Sequence, residues 1–152
     1  MKRIKQLIVF VIIIMTCSIA FAINFNSLPF GYAFDSWVVE GDETQPIHFS
    51  TSERKLMYFC ATTPCYVSSL KAKITVTAMG VTVPIPYPED ISYCVHNCTL
   101  PLKPGDVFWV QLSIALPSPF FTSGTFRVIF TNEDGVDIAG GECSFYVDDN
   151  LD

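Results

Sequence analysis

Residues 79–98 read Met-Gly-Val-Thr-Val-Pro-Ile-Pro-Tyr-Pro-Glu-Asp-Ile-Ser-Tyr-Cys-Val-His-Asn-Cys, and this stretch decides the fold. Met79, Val81, Val83 and Ile85 alternate with Gly80, Thr82, Pro84 and Pro86, the period of a β-strand. A proline has no amide to give a sheet, so Pro84 and Pro86 confine this strand to an edge. Pro88-Glu89-Asp90 then turns the chain, and Cys94 and Cys98 bracket a short loop. An apolar edge strand that peels away beside such a loop leaves a gap between sheets.

Working outward, period two recurs and no convincing helical period appears. Strands are expected near 31–39, 46–50, 55–60, 66–78, 80–86, 107–116, 124–131 and 142–148. Thr51 to Leu56 is the one short polar run with helical residues. Turn signals fall at Glu40-Gly41-Asp42, Lys103 to Asp106, Asn132 to Gly135 and Gly140-Gly141. Short strands at this spacing predict an all-β chain folded as a two-sheet, antiparallel, immunoglobulin-like sandwich. Phe108, Val110, Leu112, Ile114 and Leu116 share one face of their strand, and Phe126, Val128 and Phe130 one face of the next. Between these strands, Phe120 and Phe121 sit in a proline-stiffened loop, at the rim of whatever the sheets enclose.

The first 22 residues read as a secretory signal: a basic start, an unbroken apolar run from Leu7 to Met15, and Ala20-Phe21-Ala22 as cleavage site. The run is shorter than the roughly 18 residues a membrane span needs. One domain is then expected over 23–152, with an acidic tail. The chain holds 9 basic and 15 acidic residues. The signal removes three bases and no acid, which leaves a net charge of −9. That disfavours a nucleic-acid partner, which needs clustered Lys and Arg. Of six cysteines, Cys17 leaves with the signal. Cys60 with Cys65 and Cys94 with Cys98 are the expected disulfides of an oxidising compartment, and Cys143 is left over. Asn97-Cys98-Thr99 is a glycosylation acceptor.

Enzymatic signatures are missing. There is no Gly-x-Ser-x-Gly elbow and no phosphate loop. His48 and His96 have no evident nucleophile beside them. Adjacent acids such as Glu89-Asp90 point apart and are not poised for acid–base work. No metal spacing occurs, so neither metal nor cofactor is expected.

The wording of 79–98 also resembles the ML domain (MD-2-related lipid-recognition) family, in its Niemann-Pick type C2-like branch. The resemblance implies a lipid or sterol held in an apolar cavity between the two sheets. It places Val83 and Ile85 at the mouth and Met79 and Val81 further inside, with Tyr87 among the lipid-binding residues. Leu116, Pro117, Phe120 and Phe121 stand at the pocket edge, and Val110, Leu112, Ile114, Phe126 and Val128 on its walls. Cys60–Cys65 and Cys94–Cys98 are similar to the family's small disulfide loops. Cys143 resembles its last cysteine, whose usual partner has no counterpart between Ile23 and Phe59. The function implied is a non-enzymatic lipid or sterol carrier, secreted or in the lysosomal or endosomal lumen, with a membrane or transporter partner for hand-off. No charged group is expected deep in the pocket. The alternative is a secreted immunoglobulin-like interaction module with a filled core.

Overall fold

The computed structural model describes residues 23–28, 32–50, 53–117 and 122–148. The signal-like segment, Phe120, Phe121 and the acidic end beyond Asp148 lie outside them. Eight strands form among the described residues: β1 (Ser36–Val39), β2 (Ile47–Ser50), β3 (Arg54–Thr62), β4 (Lys71–Ala78), β5 (Val81–Pro84), β6 (Val107–Ala115), β7 (Ser123–Thr131) and β8 (Asp137–Asp148). They make two facing sheets, one ordered β1-β3-β6 and the other β2-β8-β7-β4-β5. The expected sandwich is therefore present, with β5 at an edge as its prolines require.

The two inner faces follow from alternation. Met57, Phe59 and Ala61 of β3 and Phe108, Val110, Leu112 and Ile114 of β6 are buried against Phe126, Val128 and Phe130 of β7. Rings from both sheets interlock in the middle. Phe59 and Phe130 lie 5.4 Å apart between centroids, Phe34 and Phe130 5.0 Å, and Trp37 and Phe126 5.9 Å. Such offset and edge-on contacts add to the stabilisation from burial alone.

Three details depart from the sequence reading. The pairing of β2 with β8 is parallel, because the chain crosses from one sheet to the other between β1 and β2 rather than folding back. Residues 66–70 are not strand. Val67 exchanges hydrogen bonds with Leu102, and the amides of Ser68 and Ser69 are taken by the Glu133 carboxylate at 2.9 and 3.3 Å. Gly140-Gly141 is not a turn but part of the twelve-residue β8. A Cβ on Gly141 would stand 2.9 Å from a Phe25 ring carbon and 3.2 Å from one of Phe34, so the glycine lets the N-terminal aromatics lie on the strand backbone.

Glu133 also makes a pH-dependent tie. Its own backbone N–H and those of Ser68 and Ser69 draw its pKa from 4.5 down to about 2. A depressed carboxylate stabilises the fold above its unfolded pKa, and that contribution is lost as pH falls through the folded value. Glu133→Gln should flatten the acid loss of stability between pH 4.5 and about 2. Denaturant midpoints across that window measure it, and wild-type and variant curves that stay parallel would refute it.

No disulfide joins the described cysteines, so the two expected bonds are not formed here. Cys60 lies on the outer face of β3 with Tyr58 and Thr62, whereas Cys65 packs against the core, its Sγ 3.9 Å from Asn132 Nδ2. Cys94 is buried in the core and Cys98 packs against it, its Sγ near the Asn97 side chain and the Val107 carbonyl.

Candidate functional site

The hairpin joining β4 to β5 has only two loop residues, Met79 and Gly80, both at positive φ (53° and 76°). This is the twist a tight hairpin needs. Residues directly opposite in an antiparallel pair share a face, so Val81 and Val83 point to the same side as buried Ala78 and Val76. Their exposure nevertheless grades along the strand. Val81 is 54% exposed, Val83 half-buried and Ile85 6%. The facing sheet, β1-β3-β6, has three described strands against the five of this one, and β5 is the edge strand of the wider sheet. The inner face of β5 is thus an apolar ramp from solvent into the core. This reverses the expected order: Met79, 95% exposed, and Val81 are outermost, and Ile85 is innermost.

Beyond Ile85 the chain straps one sheet to the other. Ile85 N–H bonds the Ile74 carbonyl (2.9 Å), Ile91 N–H the Leu70 carbonyl (2.8 Å), and His96 N–H the Trp109 carbonyl of β6 (3.0 Å). Tyr87 lies along this strap. Burial, chiefly, raises its pKa, and its phenol meets the Ser113 backbone. Arg54 Nη2 holds the Ser113 carbonyl at 2.9 Å from the other side. Tyr87 and the end of β6, with half-buried Leu116 and Pro117, therefore share one corner of the sandwich. Asn97 closes the edge of β6: its Nδ2 donates to Val107 O (2.9 Å) and its Oδ1 accepts from Trp109 N (2.7 Å).

Of the expected wall residues, Val110, Leu112, Ile114, Phe126 and Val128 are all fully buried between the sheets. Phe120 and Phe121 lie outside the described residues. Sequence reading missed the polar atoms inside. Lys55 occupies an inward position of β3, beside Ile114 of β6, and is only 7% exposed. A charged group does enter the interior, then, but at its end and paired: Lys55 Nζ donates to Asp42 Oδ2 at 2.8 Å. Only the period two running Lys55-Met57-Phe59-Ala61 could have placed it there. Trp37, fully buried on β1, has an indole N–H without a partner.

Nucleophilic chemistry has little support in this arrangement. Burial pushes the Cys143 thiol far above the usual range, which leaves it protonated and inert. His48 stands 4.0 Å from Asp42, yet its ring is turned to solvent. Among the described residues no group of three His, Cys, Asp or Glu side chains could hold a metal ion. No helix among them is long and apolar enough to cross a membrane.

No family model matches the sequence, and no curated protein does either. Solved structures do match in fold. A Niemann-Pick type C2 protein from the Japanese carpenter ant is 17% identical with a TM-score of 0.67, over 82% of this chain and 99% of that one. Chicken MD-1, solved in complex with lipid IVa, is 16% identical with a TM-score of 0.54, over 80% and 87%. The chain therefore has the ML-domain fold. Fold alone does not carry function.

Proposed function

We propose that the protein is a non-enzymatic carrier that takes one apolar lipid, a sterol being the reference ligand, between its two sheets. The observation that carries this is the graded inner face of β5, exposed at Val81 and buried by Ile85. Apolar surface left open beside a core and facing inward is where a lipid gains most from leaving water, about 25 cal/mol for each Å² buried. The complex of chicken MD-1 with lipid IVa supports lipid as the ligand class on this fold. Titration of the purified protein with a fluorescent sterol and a panel of phospholipids should give saturable binding at one site per chain. No saturable binding to any of them would sink the carrier reading. It would favour the interaction module, whose filled core the interlocked rings around Trp37 and Phe59 would supply.

The working compartment we propose is the secretory route, outside the cell or in the lysosomal or endosomal lumen, with residues 1–22 as its address. Asn97 is the acceptor we propose for a glycan: it is exposed, and a glycosylated Nδ2 keeps one N–H for Val107.

Hand-off to a membrane would use the hairpin tip. Met79 holds a left-handed backbone that costs a non-glycine residue roughly 1–2 kcal/mol, and it projects an apolar chain into solvent. Met79→Gly should stabilise the fold, by up to about 1 kcal/mol once glycine's extra unfolded-state freedom is counted, while slowing sterol transfer to neutral vesicles. Stopped-flow transfer and urea unfolding test both parts. Unchanged transfer would remove the tip from the hand-off step.

A further inference from the structure

Among the described residues, two buried side-chain polar atoms lack a hydrogen-bond partner, Ser36 Oγ and Trp37 Nε1. Alternation along β1 turns Ser36 to the outer face, so only the indole N–H lies between the sheets. It is surrounded by hydrocarbon. Ring centroids of Phe59, Phe126, Phe34 and Phe25 stand 5.0, 5.9, 6.0 and 6.2 Å from that of Trp37. An unpaired buried donor costs about 1–3 kcal/mol, and a buried indole usually finds a partner. A phenylalanine would fill most of this space without that cost.

Position gives the donor a use. Trp37 pairs with Phe59, and Lys55 lies four residues earlier on the same strand, about 13 Å along it. Met57 and Leu112, with Val39 beside them, occupy the step between. The inner face of the β1-β3-β6 sheet is therefore aliphatic from Lys55 to Met57 and Leu112 and aromatic from Trp37 and Phe59 on, while Phe126, Phe49 and Phe145 face it from the other sheet. The indole N–H stands where a ligand sliding along this sheet from its Lys55 end would meet the first of its rings.

We propose that the ligand's leading end carries one uncharged oxygen, a hydroxyl or a carbonyl, which accepts a hydrogen bond from Trp37 Nε1. This rests on the carrier reading above. A carboxylate does not suit the place. It would be desolvated among rings, and the cation on the inner face of β3, Lys55, is remote and engaged by Asp42. The ligand class is thus a neutral oxygen-bearing lipid such as a long-chain alcohol, a ketone or a sterol entering hydroxyl first, rather than a hydrocarbon or a fatty-acid anion.

The test uses heteronuclear NMR of the full domain, whose two tryptophans give two indole N–H signals, assigned with Trp109→Phe. Dodecyl alcohol, dodecane and dodecanoate are titrated in parallel. Dodecyl alcohol should bind saturably and move the Trp37 indole proton downfield. Dodecane should bind about 2- to 10-fold more weakly, the worth of one neutral hydrogen bond, without that shift, and dodecanoate should bind more weakly than the alcohol. Trp37→Phe should erase the preference for alcohol over alkane. Alcohol and alkane binding equally well with the indole signal unmoved would overturn this inference and leave the carrier reading standing. So would a preference that survives in Trp37→Phe. If none of the three binds while a fluorescent sterol does, this inference falls and the carrier reading stands; if the sterol fails as well, both fall. Should Trp37→Phe not fold, the indole shift in the unaltered protein decides.

Discussion

Asp42→Ala should lower the unfolding free energy by about 3–5 kcal/mol, the usual cost of leaving one partner of a buried ion pair alone. Both side chains of the Lys55–Asp42 pair are only 8% exposed, so water cannot replace the lost carboxylate. The remaining acceptor for Lys55 Nζ is the Glu40 carbonyl at a long 3.4 Å. Combining Asp42→Ala with Lys55→Met should recover most of the loss. Methionine fills the path of the lysine stem without a charge, and buried pairs replaced by apolar groups of similar volume are often neutral or better. Urea unfolding of the two variants measures this. A loss below about 1 kcal/mol for Asp42→Ala is what an exposed pair gives, and would mean that the end of the sandwich is open to water. Asp42 sits on the crossing between β1 and β2, so the pair also ties together the two sheets that a ligand must part.

The sequence makes the sheets legible and the interior much less so. Pro84 and Pro86 are enough to put β5 at an edge, since the reason is local: a missing amide. The buried sets on β6 and β7 are equally local, because period two needs no knowledge of neighbours. What depends on a partner strand is hidden. Val81 and Ile85 look alike in sequence, and only their surroundings in the fold make one exposed and the other buried. Lys55 reads as a solvent residue until Asp42, thirteen positions earlier, is brought beneath it. Gly140-Gly141 reads as a turn until Phe25 and Phe34 are seen to lie on it. The parallel β2–β8 pair depends on a crossing that no periodicity records.

Val83→Trp should abolish sterol uptake while the domain still folds. Val83 lies midway along the graded face of β5, opposite buried Val76 and half-buried itself. An indole there enters the space between the sheets, where a ligand would compete with a covalently attached ring. Affinity should fall by at least about 100-fold, or 2.7 kcal/mol. Because Val83 is on an edge strand with solvent beside it, the ring can turn partly outward. The stability cost should stay within about 1 kcal/mol, below the 1–3 kcal/mol of overpacking a closed core. Ile85→Trp provides the contrast: Ile85 is 6% exposed and should show that larger cost. Fluorescent-sterol titration beside urea unfolding separates the two effects. If Val83→Trp lost 2 kcal/mol or more, within the overpacking range of a closed core, the ramp would be a closed core. If it bound sterol as the unaltered protein does, the entry route would lie elsewhere on the sandwich.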